Sequence, residues 1–337
     1  MARLKNTRIV LMAVLLVALV LFIPRMDYRK IGNAFVEADW RWATWVVLLN
    51  LVNTYLEAVR LALALSPFKE GTRIRKAFDS ILVGVLWNTV LPFRIGDGMR
   101  TYFLAKAEEV SLTSSISAVM VDRAADLILF FVVMVFTALV FPFPSSVNRM
   151  GLLAAGLLCL GIVALFGLMR FNRRLGDKFC KTWGVRSIRA AINHLTMGLS
   201  VLRKTGMLVP IGLLSALSWM TRGFMVWVMF EAFHLSLPFV AAPVVLILTN
   251  LGIAVVNTPA NLGSFEVCTV AALKLFSVDA ELALSYGIAL HLVEVIPMML
   301  LGLFVLWFSD FKSKEVLTTY RAVSDKLLEH DAVERCN

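Results

Sequence analysis

The 337-residue chain is 59% hydrophobic and 17% charged, with a mean hydropathy of +0.81, whereas soluble domains are about 45 to 50% apolar. That composition excludes an ordinary soluble enzyme and defines a polytopic membrane protein. The net charge of +10 does not point to nucleic acid, because the basic residues fall in short loops between apolar runs, as cytoplasmic loops do.

Taken in order, Arg3, Lys5 and Arg8 precede an apolar run over 9–24. No small-residue cleavage site stands before Arg25, so the run reads as a retained first helix rather than a signal peptide. The run 42–65 is long enough to cross about 30 Å of hydrocarbon. It carries Glu57 and Arg60, three apart and so on one helix face.

Residues 78–93 are too few for a span, and they include Asp79 and Asn88. The chain then breaks at Pro92, followed by Arg94, Gly96, Asp97, Gly98 and Arg100, and the stretch to Glu109 is too polar to cross alone. A re-entrant pair of half-helices fits these features. Irregular backbone at membrane depth is tolerated only where protein or a water-filled cavity covers it.

The run 113–141 is a long span whose first third holds Asp122, Arg123 and Asp126, and 150–169 is a plain apolar helix. Nine Lys and Arg then lie between Arg170 and Lys204 against the single acid Asp177, which assigns that loop to the cytoplasm. The span 206–233 carries Arg222 and Glu231. Residues 239–256 lead to a second break, Asn257-Thr258-Pro259-Ala260-Asn261-Leu262-Gly263-Ser264-Phe265-Glu266, followed by a half-helix over 264–276. The last span, 282–308, holds His291 and Glu294, and both termini fall on the cytoplasmic side.

Pro92 and Pro259 share an offset of 167 residues with Gly96 and Gly263. Two broken apolar segments at matching places in two halves point to a transporter binding site. The unit 42–141 begins outside and the unit 206–308 begins inside, so the expected fold is all-α, with two inverted-topology repeats that each contain a re-entrant broken helix pair. The same offset carries Arg123 to the neighbour of His291. Residues 1–309 form the membrane domain and 310–337 a cytoplasmic tail.

A charged residue near the bilayer centre costs about 2.5 to 3.5 kcal/mol even on the lower scale, so those inside the spans pair with one another or line a polar cavity. Glycine followed by a capping residue, Gly96-Asp97 and Gly263-Ser264, would start a half-helix with free N–H groups and a positive dipole end. Arg94, Arg100 and Arg123 add fixed charge, and arginine forks suit phosphate oxygens. Asp97, Asp122, Asp126 and Glu266 would neutralise the arginines in the empty site. His291 could couple movement to protons, or donate a hydrogen bond between helices.

Catalytic signatures are thin. The four histidines share no metal-ligand spacing, the cysteines (Cys159, Cys180, Cys268, Cys336) show no paired spacing, and no nucleotide-type glycine loop is present. No cofactor or metal is expected.

The run 88–100 with Asp122-Arg123, the segment 259–266, and a final span with His291 and Pro297 together resemble the lysylphosphatidylglycerol synthase transmembrane, or flippase-like, family. The likeness covers about 9–308. It implies an inner-membrane protein that moves aminoacylated phospholipids, or lipid-linked saccharide and isoprenoid phosphates, between leaflets. Pro92, Gly96, Arg100, Arg123, Pro259, Gly263 and Glu266 match the family's recurrent positions. Asp97 stands where the family often has glutamate, and Ala260-Asn261 where it has a glycine-rich turn. The family's soluble aminoacyl-transferring domain follows the membrane part, and the chain ends at Asn337, so synthase activity is not expected.

The substrate site is therefore expected at Asn88, Pro92, Arg94, Gly96, Asp97, Arg100, Asp122, Arg123, Asp126, Asn257, Pro259, Asn261, Gly263, Ser264, Glu266 and His291, with a phosphate-headgroup lipid as ligand. Two rivals stand beside a flippase. One is an intramembrane enzyme acting on a lipid phosphate through Asp122, Glu266 or His291. The other is a membrane partner of a glycosyltransferase, engaged through the basic loop 170–204, which anionic lipid could equally hold.

Overall fold

The structure, a computed structural model, describes residues 27–90, 95–141, 206–255 and 258–309. The runs 9–24 and 150–169, the basic loop, the tail, Pro92, Arg94 and Asn257 lie outside the described residues, and Pro259 is placed by its backbone alone. The described part is all helical: α1 (Tyr28–Glu37), α2 (Arg41–Leu65), α3 (Ile74–Val90), α4 (Ile95–Ala107), α5 (Leu112–Val140), α6 (Leu208–Ala232), α7 (Ala241–Val255), a 3-10 turn at Pro259–Asn261, α8 (Ser264–Lys274) and α9 (Ala280–Phe308).

Four of these, α2, α5, α6 and α9, are long and apolar enough to cross a membrane, with 25, 29, 25 and 29 residues. At 1.5 Å per residue they run about 37 to 44 Å, longer than the hydrocarbon core. They fall where the apolar runs place them. The stretch between the runs 9–24 and 42–65 folds in part as the amphipathic α1, started by Asp27, whose carboxylate accepts the Arg29 N–H at 3.0 Å. α5 starts in the same way at Ser111, whose hydroxyl accepts the Ser114 N–H at 3.1 Å.

Between the long helices lie two short hairpins, α3–α4 and α7–α8. The described helices thus divide into two units of like order: α2, α3, α4 and α5, then α6, α7, α8 and α9. Their contacts pair off. α2 packs on α6, α3 on α9 as α7 on α5, and α2 on α9 as α6 on α5, while within the units α2–α3 matches α6–α7 and α4–α5 matches α8–α9. Asn50 donates from Nδ2 to the Glu294 carbonyl at 2.8 Å and Thr54 donates to the Met298 sulfur at 3.5 Å. Both contacts span 244 residues, so α2 and α9 run in the same direction.

Close backbone approach builds the first hairpin. A Cβ on Gly96 would lie 2.1 Å from the Gly84 carbonyl oxygen and 2.6 Å from the Asn88 nitrogen. Those atoms are backbone and cannot swing away, so Gly96→Ala must part α4 from α3. A loss of about 3 kcal/mol is expected, read as a lowered unfolding midpoint in detergent. An unshifted midpoint would show that the two backbones do not meet there. The base of the same hairpin is tied by Glu108, which takes Lys69 Nζ at 3.0 Å and the Arg73 N–H at 3.1 Å.

Two apolar clusters flank the middle of the bundle. Ala58, Leu61, Leu65, Ala77, Ile81 and Leu104 pack unit 1 together. Met229, Phe230, Ala241, Val244, Tyr286 and Leu290 pack unit 2. Lipid tails are as apolar as these side chains, so dispersion and close fit, rather than expulsion of water, hold the clusters. The outer faces are apolar too: Ile128, Val132 and Phe136 on α5 and Phe304, Trp307 and Phe308 on α9 are exposed and suit contact with lipid.

Candidate functional site

Between the two apolar clusters runs a charged network. Arg60 on α2 is wholly buried and forks onto two acids one turn apart on α5, Nε to Asp122 Oδ1 and Nη1 to Asp126 Oδ1, each at 2.6 Å. Its Nη1 also donates to Ser215 Oγ on α6 at 2.9 Å. The second oxygen of Asp122 takes Arg100 Nη2 from α4 at 2.9 Å. Arg123 bonds Asp97 through Nη2 at 2.5 Å and lies 3.9 Å from Asp126. Arg222 on α6 pairs with Glu57 on α2, and its guanidinium lies 5.3 Å from the centre of the Trp219 ring.

Glu57 and Arg60 share one face of α2, as their spacing requires, yet they are not partners. Glu57 turns to Arg222 and Arg60 to the two aspartates. Ion pairs this deep hold because each carboxylate meets a guanidinium at hydrogen-bonding distance, which offsets the loss of hydration.

Beside the network lies a cavity of about 330 Å³. Asn88 and Asp97 reach it from the first hairpin, and Ala260 and Asn261 from the second break. Arg100, Arg123 and Arg222 also line it, with Glu57 and Glu294. The Nε atoms of Arg100 and Arg123 are buried and meet no acceptor among the described residues.

Of the residues expected at the site, Asn88, Asp97, Arg100, Arg123 and Asn261 line this cavity, and Asp122 and Asp126 stand behind its arginines. The second break behaves otherwise than the glycine-cap pattern predicts. α8 does begin at Ser264, but Gly263 at φ +82° is its cap residue, and Glu266 Oε2 accepts the Gly263 N–H at 2.6 Å. The chain's own carboxylate thus takes the N–H of the cap residue. Ser264 is buried and donates to the Asn261 carbonyl at 2.9 Å instead of capping.

Asp97 likewise lies inside the first turn of α4, which starts at Ile95, and its carboxylate meets Arg123. Glu266 does not neutralise an arginine either. Its Oε1 lies 2.7 Å from His291 Nδ1, and the imidazole stacks on Phe265. His291 therefore joins α9 to α8 behind the cavity wall. Among the described residues, no three of His, Cys, Asp and Glu are grouped to hold a metal ion.

The expected set omitted a polar stripe on α2. Asn50, Asn53, Thr54 and Glu57 all line the cavity, and their spacing of three and four residues puts them on one helix face. That stripe inside a 25-residue apolar helix was the available signal. Thr249 and Asn250 on α7, and Glu294 on α9, complete the polar wall.

The fold and the site define a class: a multi-pass helical membrane protein with a charged cavity lined by two short hairpins and by the long helices α2, α6 and α9. A family model described as the lysylphosphatidylglycerol synthase TM region matches residues 8–302, and the chain belongs to that family. It is also similar to the UPF0104 membrane protein MJ1078 of Methanocaldococcus jannaschii, at 24% identity over 219 residues, which cover 64% of this chain and 90% of that one. No solved structure matches it.

Proposed function

We propose that this chain carries a phosphate-bearing lipid between the leaflets of the cell's inner membrane, both termini lying in the cytoplasm. The observation that carries the reading is the cavity with three arginines where the two hairpins meet. About 330 Å³ lies at the small end of ligand pockets. A headgroup fits that volume while its acyl chains stay in the bilayer. An anionic or aminoacylated phospholipid and an isoprenoid-linked glycan all present such a phosphate, and the family's description names a phospholipid product.

Alternating access follows if the two units are inverted and rock about the cavity. Their equal span lengths, their matched contacts and the common direction of α2 and α9 support that relation.

The test is leaflet transfer in reconstituted vesicles, using acyl-labelled phosphatidylglycerol, acyl-labelled phosphatidylethanolamine and a labelled isoprenyl phosphate. The protein is expected to speed transfer of at least one probe, and Asn250→Trp, which fills the cavity, to return that rate to the protein-free level. Wild-type rates equal to protein-free vesicles for all three probes would overturn the reading.

A further inference from the structure

Among the described residues, every ion pair between the two units is made by one side chain, Arg222. Unit 1 brings Arg60, Arg100 and Arg123 to the network against Glu57, Asp97, Asp122 and Asp126, three cations to four anions. Arg222, from unit 2, adds a fourth cation to this set. Besides Glu57, it lies 3.9 Å from Asp126.

Glu57 is held in place from both units. Its Oε1 also accepts Asn53 Nδ2 at 3.0 Å, and Asn53 Oδ1 accepts the Ser218 hydroxyl at 2.6 Å. Arg222 and Glu57 both line the cavity, so a ligand phosphate there competes directly with the carboxylate.

Moving α6 away from α2 with the cavity empty would part Arg222 from Glu57 and Asp126, the two acids within 4 Å of it, and leave unit 1 with fewer cations than acids. Inside a membrane an uncompensated charge is strongly disfavoured. A phosphate that takes Arg222 removes the first cost. We propose that the Arg222–Glu57 pair is an exchange latch: a headgroup phosphate replaces Glu57 on Arg222, and this exchange frees the two units to move. The inference rests on reading the cavity as a headgroup site. Trp219 keeps the guanidinium in place during the exchange by stacking on it.

The experiment uses the full chain in phosphatidylcholine nanodiscs titrated with short-chain phosphatidic acid. Spin labels at the exposed positions Val52 on α2 and Leu217 on α6 report the distance between the units. Glu57→Gln removes the competitor and is expected to bind phosphatidic acid about 10-fold tighter than wild type, as suits a charged competitor. Arg222→Gln is expected to bind about 10-fold more weakly, with Arg222→Lys between, and the double variant to match Arg222→Gln. The label distance should lengthen on binding in wild type, lengthen at lower concentration in Glu57→Gln, and stay fixed in Arg222→Gln.

Glu57→Gln binding no tighter than wild type, or bound phosphatidic acid that leaves the distance unchanged, overturns the latch. If Arg222→Gln does not fold, the Glu57→Gln titration decides alone. Both responses without leaflet transfer would refute the transport reading and uphold the latch. Transfer without either response would refute the latch alone.

Discussion

Replacing Arg60 with methionine is expected to abolish folding in mild detergent, or to lower the unfolding free energy by about 5 kcal/mol. Removing one partner of a buried pair costs about 3 to 5 kcal/mol, because the other is left as an uncompensated buried charge. Here one substitution orphans two carboxylates. Asp122 is wholly buried and keeps only its bond to Arg100, while Asp126 keeps only contacts of 3.9 Å to Arg123 and Arg222.

The prediction has an internal control. Adding Asp126→Asn to Arg60→Met removes one of the stranded charges and should recover about half the loss, and a merely volumetric role for the arginine would give no recovery. Size-exclusion profiles and thermal unfolding of the two variants measure this directly. An Arg60→Met protein as stable as wild type would show that the fork onto α5 contributes nothing.

Helices are legible in the chain and their pairing is not, and the reason lies in what each depends on. Spans are local: a run of about 20 apolar residues announces itself, and all four described long helices lie where such runs predict them. The hairpins were readable because a run too short to cross, ending in proline or glycine, has few alternatives in a membrane. α1 is not legible in the same way, because its periodicity is carried by a mixture of acids, bases and aromatics that also suits a loop.

Partners are not local. Glu57 and Arg60 stand three apart on α2, and only the arrival of α5 and α6 decides that each looks elsewhere. The same holds at the second break. Gly263 followed by Ser264 suits an open helix start, but Glu266, three residues beyond Gly263, reaches back to take its N–H. That return was written in the sequence as an acid at the third helical position, and it competes with any external anion.

Arg123→Gln is expected to lower leaflet transfer about 100-fold while leaving the fold intact, and Arg100→Gln is expected to fail chiefly by destabilising the protein. In the sequence the two arginines are equal candidates for a phosphate contact. Their surroundings separate them. Arg123 is 39% exposed to the cavity side, and its partner Asp97 is 33% exposed, so water can solvate that acid when the arginine is lost. Arg100 is 2% exposed and holds the inner oxygen of a carboxylate with no access to water.

A guanidinium that reaches the ligand contributes charge-assisted bonds, and truncating one partner of such a pair costs about 2 to 5 kcal/mol, which spans a 100-fold change. For Arg100 much of that cost falls on the unliganded protein. The two cases are told apart by transfer rate per folded molecule: it collapses for Arg123→Gln and falls far less for whatever Arg100→Gln protein survives purification. Equal rates per folded molecule in Arg123→Gln and wild type would remove Arg123 from the headgroup site and shift the phosphate contact to Arg222, whose guanidinium faces the same cavity from the other unit.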